Sequence, residues 1–231
     1  GDGGVSVSSN DGYSTGGAGG YGGDIKLFNG ILNVSGNIGG GNGGKSEYRR
    51  GGDGGSLGSL TVFGGFLKAG SIGGGTGGDG TFVYQDGFGD GYIYAFGTAG
   101  NGGYGGTVNI NSGRVEVLGY LGGGNAGWSS FSNLQPGRGG NGGVINITGG
   151  TTVVLGITGG GSGSPMIRSE RGSDGFLSIT GGSFNSKILL PIPKNGSANG
   201  DATVYATGVT FEGVAGNEHI RFLNTGTSYS Y

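Results

Sequence analysis

The sequence predicts an all-β fold: a single-stranded parallel β-helix, or β-solenoid, of about six glycine-rich rungs, with insertion loops on one side and a C-terminal cap. Three observations predict it. A unit of two short alternating strands, joined at a glycine, recurs along the chain. A glycine triplet follows the second strand in the first four copies. No glycine-free segment carries apolar residues at i, i+3, i+4 and i+7, so helices are nearly excluded.

The copies align as follows. Row one is Ile25-Lys-Leu27, Gly30, Leu32-Asn-Val34 and Ile38-Gly-Gly-Gly. Row two is Leu60-Thr-Val62, Gly65, Leu67-Lys-Ala69 and Ile72-Gly-Gly-Gly. Row three is Val108-Asn-Ile110, Gly113, Val115-Glu-Val117 and Leu121-Gly-Gly-Gly. Row four is Ile145-Asn-Ile147, Gly150, Thr152-Val-Val154 and Thr158-Gly-Gly-Gly. Row five keeps Leu177-Ser-Ile179, Gly182 and Phe184-Asn-Ser186, and lacks the triplet. Row six is Val204-Tyr-Ala206, Gly208 and Val209-Thr-Phe211, with one residue deleted after the bend.

Period-two alternation puts one face of each strand inward. The first strand then contributes the columns Ile25/Leu60/Val108/Ile145/Leu177/Val204 and Leu27/Val62/Ile110/Ile147/Ile179/Ala206. The second contributes Leu32/Leu67/Val115/Thr152/Phe184/Val209 and Val34/Ala69/Val117/Val154/Ser186/Phe211. Stacked rows bury a core that no single row can bury. Six rows at the usual strand spacing span about 24–29 Å. The bend glycines are expected at positive φ. The triplets are expected on a third, flatter side, with polyglycine-like stacking. An antiparallel sandwich is the structural rival, and the regular triplet argues against it. The organisation read from this is an N-terminal strand or linker at 1–18, repeats at 19–182, and divergent last rungs with a cap at 183–231.

Glycine accounts for 68 of 231 residues, yet it does not recur at every third position and there are only four prolines, which excludes collagen. The net charge of −2 gives no electrostatic case for nucleic acid or an anionic membrane. No run approaches the ~20 apolar residues of a spanning helix, so no membrane insertion is expected. With no cysteine, disulfides, Cys-ligated metals and a thiol nucleophile are ruled out. Gly-Asp-Gly-Gly at the N-terminus reads as a processed or excised end. Scarce charge and polar loops favour an extracellular or cell-surface location.

Triplet spacing is 34, 49 and 37 residues between Gly39, Gly73, Gly122 and Gly159. The excess falls in insertions at Lys45–Arg50, Thr81–Ala99, Ala126–Arg138 and Ser162–Ser173. Insertions at one point of a repeat stack along one side. They hold Tyr48, Arg49, Tyr84, Tyr92, Tyr94, Trp128, Phe131, Arg168 and Arg171. Aromatics and Arg are enriched at binding hot spots, and aromatic rings offer broad apolar faces. These nine residues are the candidate ligand-binding set. The competing role for any of the rings is to cover the side of a thin core.

Catalytic and metal motifs weigh less. Asp86-Gly-Phe-Gly-Asp90-Gly puts Phe88 where a calcium loop needs an oxygen ligand, so it reads as a turn. The glycine clusters lack the helix that a phosphate loop requires. His219 is the only histidine, and nothing near it resembles a nucleophile elbow. No paired carboxylates point to glycoside hydrolysis. Lys68 and Glu116 are expected to pair across adjacent rows. No catalytic residue, metal or cofactor is expected. Sequons occur at Asn33, Asn146 and Asn195, the first two expected to point outward.

The pattern Gly-Gly-x-Gly-Gly-x-Ile/Val-x-Ile, continued by Gly-Gly-x-Val-x-Val-x-Gly-x-Ile-Gly-Gly-Gly, resembles glycine-rich repeat regions of microbial extracellular surface and fibre proteins. Gly139–Gly161 is its cleanest copy, and the resemblance covers roughly residues 19–180. It implies a parallel β-helix stalk or adhesin, some of which are linked to polysaccharide binding; it assigns no functional residue. The expected function is a non-enzymatic extracellular structural or adhesive scaffold that binds a glycan or cell-surface receptor. The alternative is a filament subunit that joins further copies of itself, with Val5-Ser-Val7 and Tyr229-Ser-Tyr231 as joining strands. Ice binding is a distant third, because the outward column Lys26, Thr61, Asn109, Asn146, Ser178, Tyr205 is chemically mixed.

Overall fold

The computed structural model describes residues 1–3, 15–46, 50–80, 98–124, 127, 137–157, 176–189, 202–206, 210–212, 220–222 and 228–230. The strands are β1 (Ile25–Leu27), β2 (Ile31–Asn33), β3 (Ile38–Gly39), β4 (Ser59–Val62), β5 (Phe66–Ala69), β6 (Ile72–Gly73), β7 (Thr107–Ile110) and β8 (Arg114–Gly122). They continue with β9 (Val144–Ile147), β10 (Thr151–Ile157), β11 (Phe176–Ile179), β12 (Ser183–Leu189), β13 (Ala202–Ala206), β14 (Thr210–Glu212), β15 (Ile220–Phe222) and β16 (Ser228–Ser230). No described residue is helical.

All strand pairs are parallel. One sheet has seven strands in the order β1-β4-β7-β9-β11-β13-β15. The other has nine, with β16-β14-β12-β10-β8-β5-β2 as its main path and β3-β6 joined through β8. Each row sends one strand to each sheet. The reversal between them is made at Gly30, Gly65, Gly113, Gly150 and Gly182, with φ from +80° to +91°. A side chain is strained at that φ, which is why glycine recurs there.

Alternation places Leu60, Val62, Leu67, Ala69, Val108, Ile110, Val115, Val117, Ile145 and Ile147 in one buried cluster between the sheets. Pairing registers match the aligned columns from Ile25↔Leu60 to Leu177↔Val204. The final row departs from the alignment: Phe184 pairs with Phe211, not with Val209.

Beyond β3, β6 and β8, the described glycine-rich segments of the first four rows lie outside both sheets. They form a bundle of extended segments with a period of three. In one layer, Gly16, Gly19 and Gly22 donate N–H groups to the carbonyls of Arg50, Asp53 and Ser56. Gly51, Gly54 and Leu57 donate in the same way to Thr98, Asn101 and Tyr104, and Gly102 and Gly105 donate to Arg138 and Asn141. These segments return the chain to the first strand of a row. The second layer carries the chain away from the sheets, with Gly40, Gly43 and Ser46 bonded to Gly73, Thr76 and Asp79. Bonds between layers run Gly41→Gly20, Gly55→Gly41, Gly75→Gly55, Gly103→Gly75, Gly124→Gly103 and Gly140→Gly124.

Each segment reads Gly-Gly-x. Three residues per turn bring every x to the same side. Both glycines face other backbones: a Cβ on Gly103 would overlap the Gly55 carbonyl. The x side chains do a second job. Asp53 Oδ1 accepts the Asn101 N–H at 2.8 Å, Asn101 Oδ1 accepts the Arg138 N–H at 2.8 Å, and Asn42 Oδ1 accepts the Thr76 N–H at 3.0 Å. Short oxygen-bearing side chains therefore satisfy the amide that the glycine pattern leaves over.

This corrects the expected fold. The chain is not a single-stranded β-helix, or solenoid, of about six rungs; it has two all-parallel sheets of seven and nine strands, joined by glycine crossovers. The physical reason is the period of three, which suits polyglycine geometry and not the pleat. In place of the expected C-terminal cap, β13 to β16 extend both sheets. Tyr229, expected in a joining tail, pairs with Phe211 inside the chain. Glu116 takes Arg114 on its own strand, with Arg114 Nε at 2.7 Å, although Lys68 stands beside it in register.

Candidate functional site at the loop end of the glycine bundle

Each described pair of outgoing and returning segments opens at one end of the bundle, where an insertion departs. The first insertion leaves after Ser46 and re-enters at Arg50; the second leaves after Gly80 and re-enters at Thr98; the third spans 128–136, between Gly127 and Gly137. These roots are tied to one another. Ser46 bridges Gly80, and its N–H donates to the Asp79 carbonyl at 2.9 Å. Gly51 donates to Thr98 at 2.9 Å, Gly100 to Gly78 at 2.9 Å and Gly127 to Gly100 at 3.0 Å. Ser46 and Ala99 are buried. Three of the four insertions therefore start and end on one hydrogen-bonded platform.

The platform is polar at its rim. Lys45 Nζ lies 3.2 Å from Asp79 Oδ2, and Arg50 Nη2 lies 2.6 Å from Asp53 Oδ1. Both pairs are solvent-exposed enough to contribute no more than about 1 kcal/mol each. Among the described residues, no three His, Cys, Asp or Glu side chains come together to hold a metal ion.

The nine candidate binding residues lie outside the described residues. Tyr48 and Arg49 fall between the roots Ser46 and Arg50, and Tyr84, Tyr92 and Tyr94 between Gly80 and Thr98. Trp128 and Phe131 fall between Gly127 and Gly137. Arg168 and Arg171 belong to the fourth insertion, bounded by Ile157 in β10 and Phe176 in β11. The turn Asp86–Gly91, His219 and the sequon at Asn195 also lie outside the described residues. Of the remaining sequons, Asn33 is exposed, while Asn146 donates from Nδ2 to Asn109 Oδ1 at 2.9 Å on the outer face of the seven-stranded sheet.

Three insertions are shorter than the sequence suggests. Arg50, Ala99 and Arg138 belong to the bundle: the Arg50 and Arg138 carbonyls accept N–H groups of Gly16 and Gly102. The signal that marks them is the Gly-Gly-x register, which begins at Gly51 and resumes at Gly100 and Gly137. Comparison with protein-family models, curated proteins and solved structures returns no match.

Proposed function

We propose that the protein is a non-enzymatic extracellular display scaffold whose loop end binds glycans on a surface. The observation that carries this reading is the common platform formed by Ser46, Gly80, Thr98, Gly100 and Gly127. A rigid platform lowers the entropic cost of presenting several loops to one ligand. The sequences it presents hold four Tyr, four Phe, the chain's one Trp and Arg49, and such side chains stack on sugar rings and bond their hydroxyls. Trp128, Phe131, Tyr84, Tyr92, Tyr94, Tyr48 and Arg49 are the contact residues in this reading. Arg168 and Arg171 join them if the fourth insertion reaches the same end.

A glycan array probed with the whole chain tests it. Binding to a defined set of sugars is expected, with Trp128→Ala weakening it at least about tenfold, the loss of one hot-spot contact. An array without binding, or binding that Trp128→Ala and Tyr92→Ala both leave intact, rules the reading out.

A further inference from the structure

The outer face of the seven-stranded sheet continues onto the returning layer of the glycine bundle. The two meet where Asp24 Oδ1 accepts the N–H and the hydroxyl of Ser59, at 3.0 and 2.7 Å. In that layer a Cβ on Gly19, Gly55 or Gly103 would overlap the backbone of a neighbouring segment, so only every third residue faces solvent. The register of these residues is fixed by the backbone. Gly22 donates to the Ser56 carbonyl at 2.8 Å, Leu57 to that of Tyr104 at 3.0 Å, and Gly105 to that of Asn141 at 3.0 Å. Ser56 Oγ also accepts the Tyr104 N–H at 3.1 Å. Tyr21, Ser56, Tyr104 and Asn141 therefore form one column that crosses the first four rows.

The column alternates aromatic and small polar. Tyr21 is 83% and Tyr104 39% exposed. Neither ring belongs to the buried cluster, and Ser56 and Asn141 hold the same place in the other rows. The fold therefore does not require a ring there. Ser56 and Tyr104 also stand six residues from the loop roots Arg50 and Thr98, about 19 Å at the rise of a polyglycine helix. This face is separate from the platform that carries the loops.

We propose that the column is a second binding track, taking an extended, uncharged β-1,4-linked polysaccharide laid across the rows, with Tyr21 and Tyr104 stacked on alternate sugar residues. Spacing selects this ligand. Neighbouring rows are about 4.8 Å apart, so the two rings, with one row between them, are about 10 Å apart. In an extended β-1,4-linked chain each residue is turned over relative to the last. The same sugar face then recurs at every second residue, a repeat of matching length. Charge agrees, because no residue of the column is ionised and nothing in it selects a polyanion. Polar side chains flank it. Asp53 and Asn101 lie in the column on the loop side, and Ser59 and Thr107 in the column on the sheet side, with oxygens suited to sugar hydroxyls. Asp53 is already held in place by the Asn101 N–H, and Ser59 by Asp24, so little ordering is left to be done on binding.

The test is co-sedimentation of the whole chain with insoluble cellulose and with insoluble chitin, and with an alginate gel as the polyanion. Binding to at least one of the uncharged polymers is expected, and the two arms tell which sugar is recognised. Tyr21→Ser/Tyr104→Ser copies the residue of row two into rows one and three. It is expected to keep the wild-type melting temperature and to weaken binding at least about tenfold. Tyr21→Phe/Tyr104→Phe keeps both rings and is expected to stay within about threefold of wild type. Tyr21→Ser alone, at the more exposed ring, stands in if the double serine variant does not fold, with a loss of at least about threefold expected. On the glycan array, for sugars other than cello- and chito-oligosaccharides, the double serine variant is expected to bind as wild type does, so this track and the loop end can each fail without the other. Four results overturn the proposal: no binding to either uncharged polymer; binding that the serine variants leave intact; alginate held as tightly as cellulose and chitin; and a loss in the phenylalanine variant as large as in the serine variant.

Discussion

At the scale of single residues, two kinds of glycine do different work. Gly30, Gly65 and Gly113 supply a positive φ. Gly103 and its counterparts supply the absence of a Cβ where backbones touch. Gly103→Ala is therefore expected to destabilise the protein by about 3 kcal/mol or more, an overpacking cost with no flexible neighbour to absorb it. Urea denaturation midpoints measure it, with Gly23→Ala, in open space, changing them by less than about 0.5 kcal/mol. Thr152 is the opposite case. It is fully buried in a column with Val115 and Phe184, and its Oγ1 has no hydrogen-bond partner. Thr152→Val keeps the shape and removes the unsatisfied hydroxyl, so it is expected to raise stability by about 1–2 kcal/mol in the same assay. The bend glycines were legible in the sequence because each sits between two alternating strands. The triplet glycines were read as a flat, polyglycine-like side, but the Gly-Gly-x segments that return the chain to each row, Gly103 among them, were not read with them. Their signal is the spacing of the non-glycine residues, Asn42 to Lys45 or Asp53 to Ser56, and that spacing is visible only when glycine is treated as the background.

Among elements, the strands were the legible part. Alternation fixed which face of β4, β7 and β9 is buried, and like residues stack in the columns as aligned. The last row slipped because a short row after a bend can be aligned with its gap on either side of Val209, and only pairing with Phe184 decides it. The connections were the illegible part. Parallel strands require long crossovers, which are helices in most proteins. Here glycine hairpins make the crossover, and hydrogen bonds between hairpins replace the packing of a helix face. The candidate binding residues could be grouped by sequence, and the shared repeat position of their insertions pointed to one side; the bonds that tie the loop roots together were not legible. Those bonds, such as Gly51 to Thr98 and Gly127 to Gly100, join positions far apart in the chain. Because those roots are held from below, replacing 81–97 with a short Gly-Ser link is expected to leave the melting temperature within about 3 °C of wild type. Calorimetry measures that, and a glycan array run on the same variant separates loss of binding from loss of fold.

For the whole molecule, backbone bonds and a narrow apolar core carry the structure, and charge contributes little. The described ion pairs, Lys45–Asp79, Arg50–Asp53 and Arg114–Glu116, are all at least partly exposed. Raising salt from about 0.1 M to about 1 M sodium chloride is expected to change unfolding free energy by less than about 1 kcal/mol, since screening removes only weak surface pairs. Denaturant titration at the two salt concentrations measures it. The two-directional bonding of the glycine bundle has a mechanical consequence. A pull on the loop tips runs along the segments, at right angles to their hydrogen bonds, so neighbouring bonds share the load in shear and do not peel one after another. Each segment is also gripped by its own layer and by the layer across from it, as Gly54 is held by Asn101 and Gly55 by Gly41. A tear that starts in one layer meets the other intact, which makes the glycine half of the molecule its tether under tension.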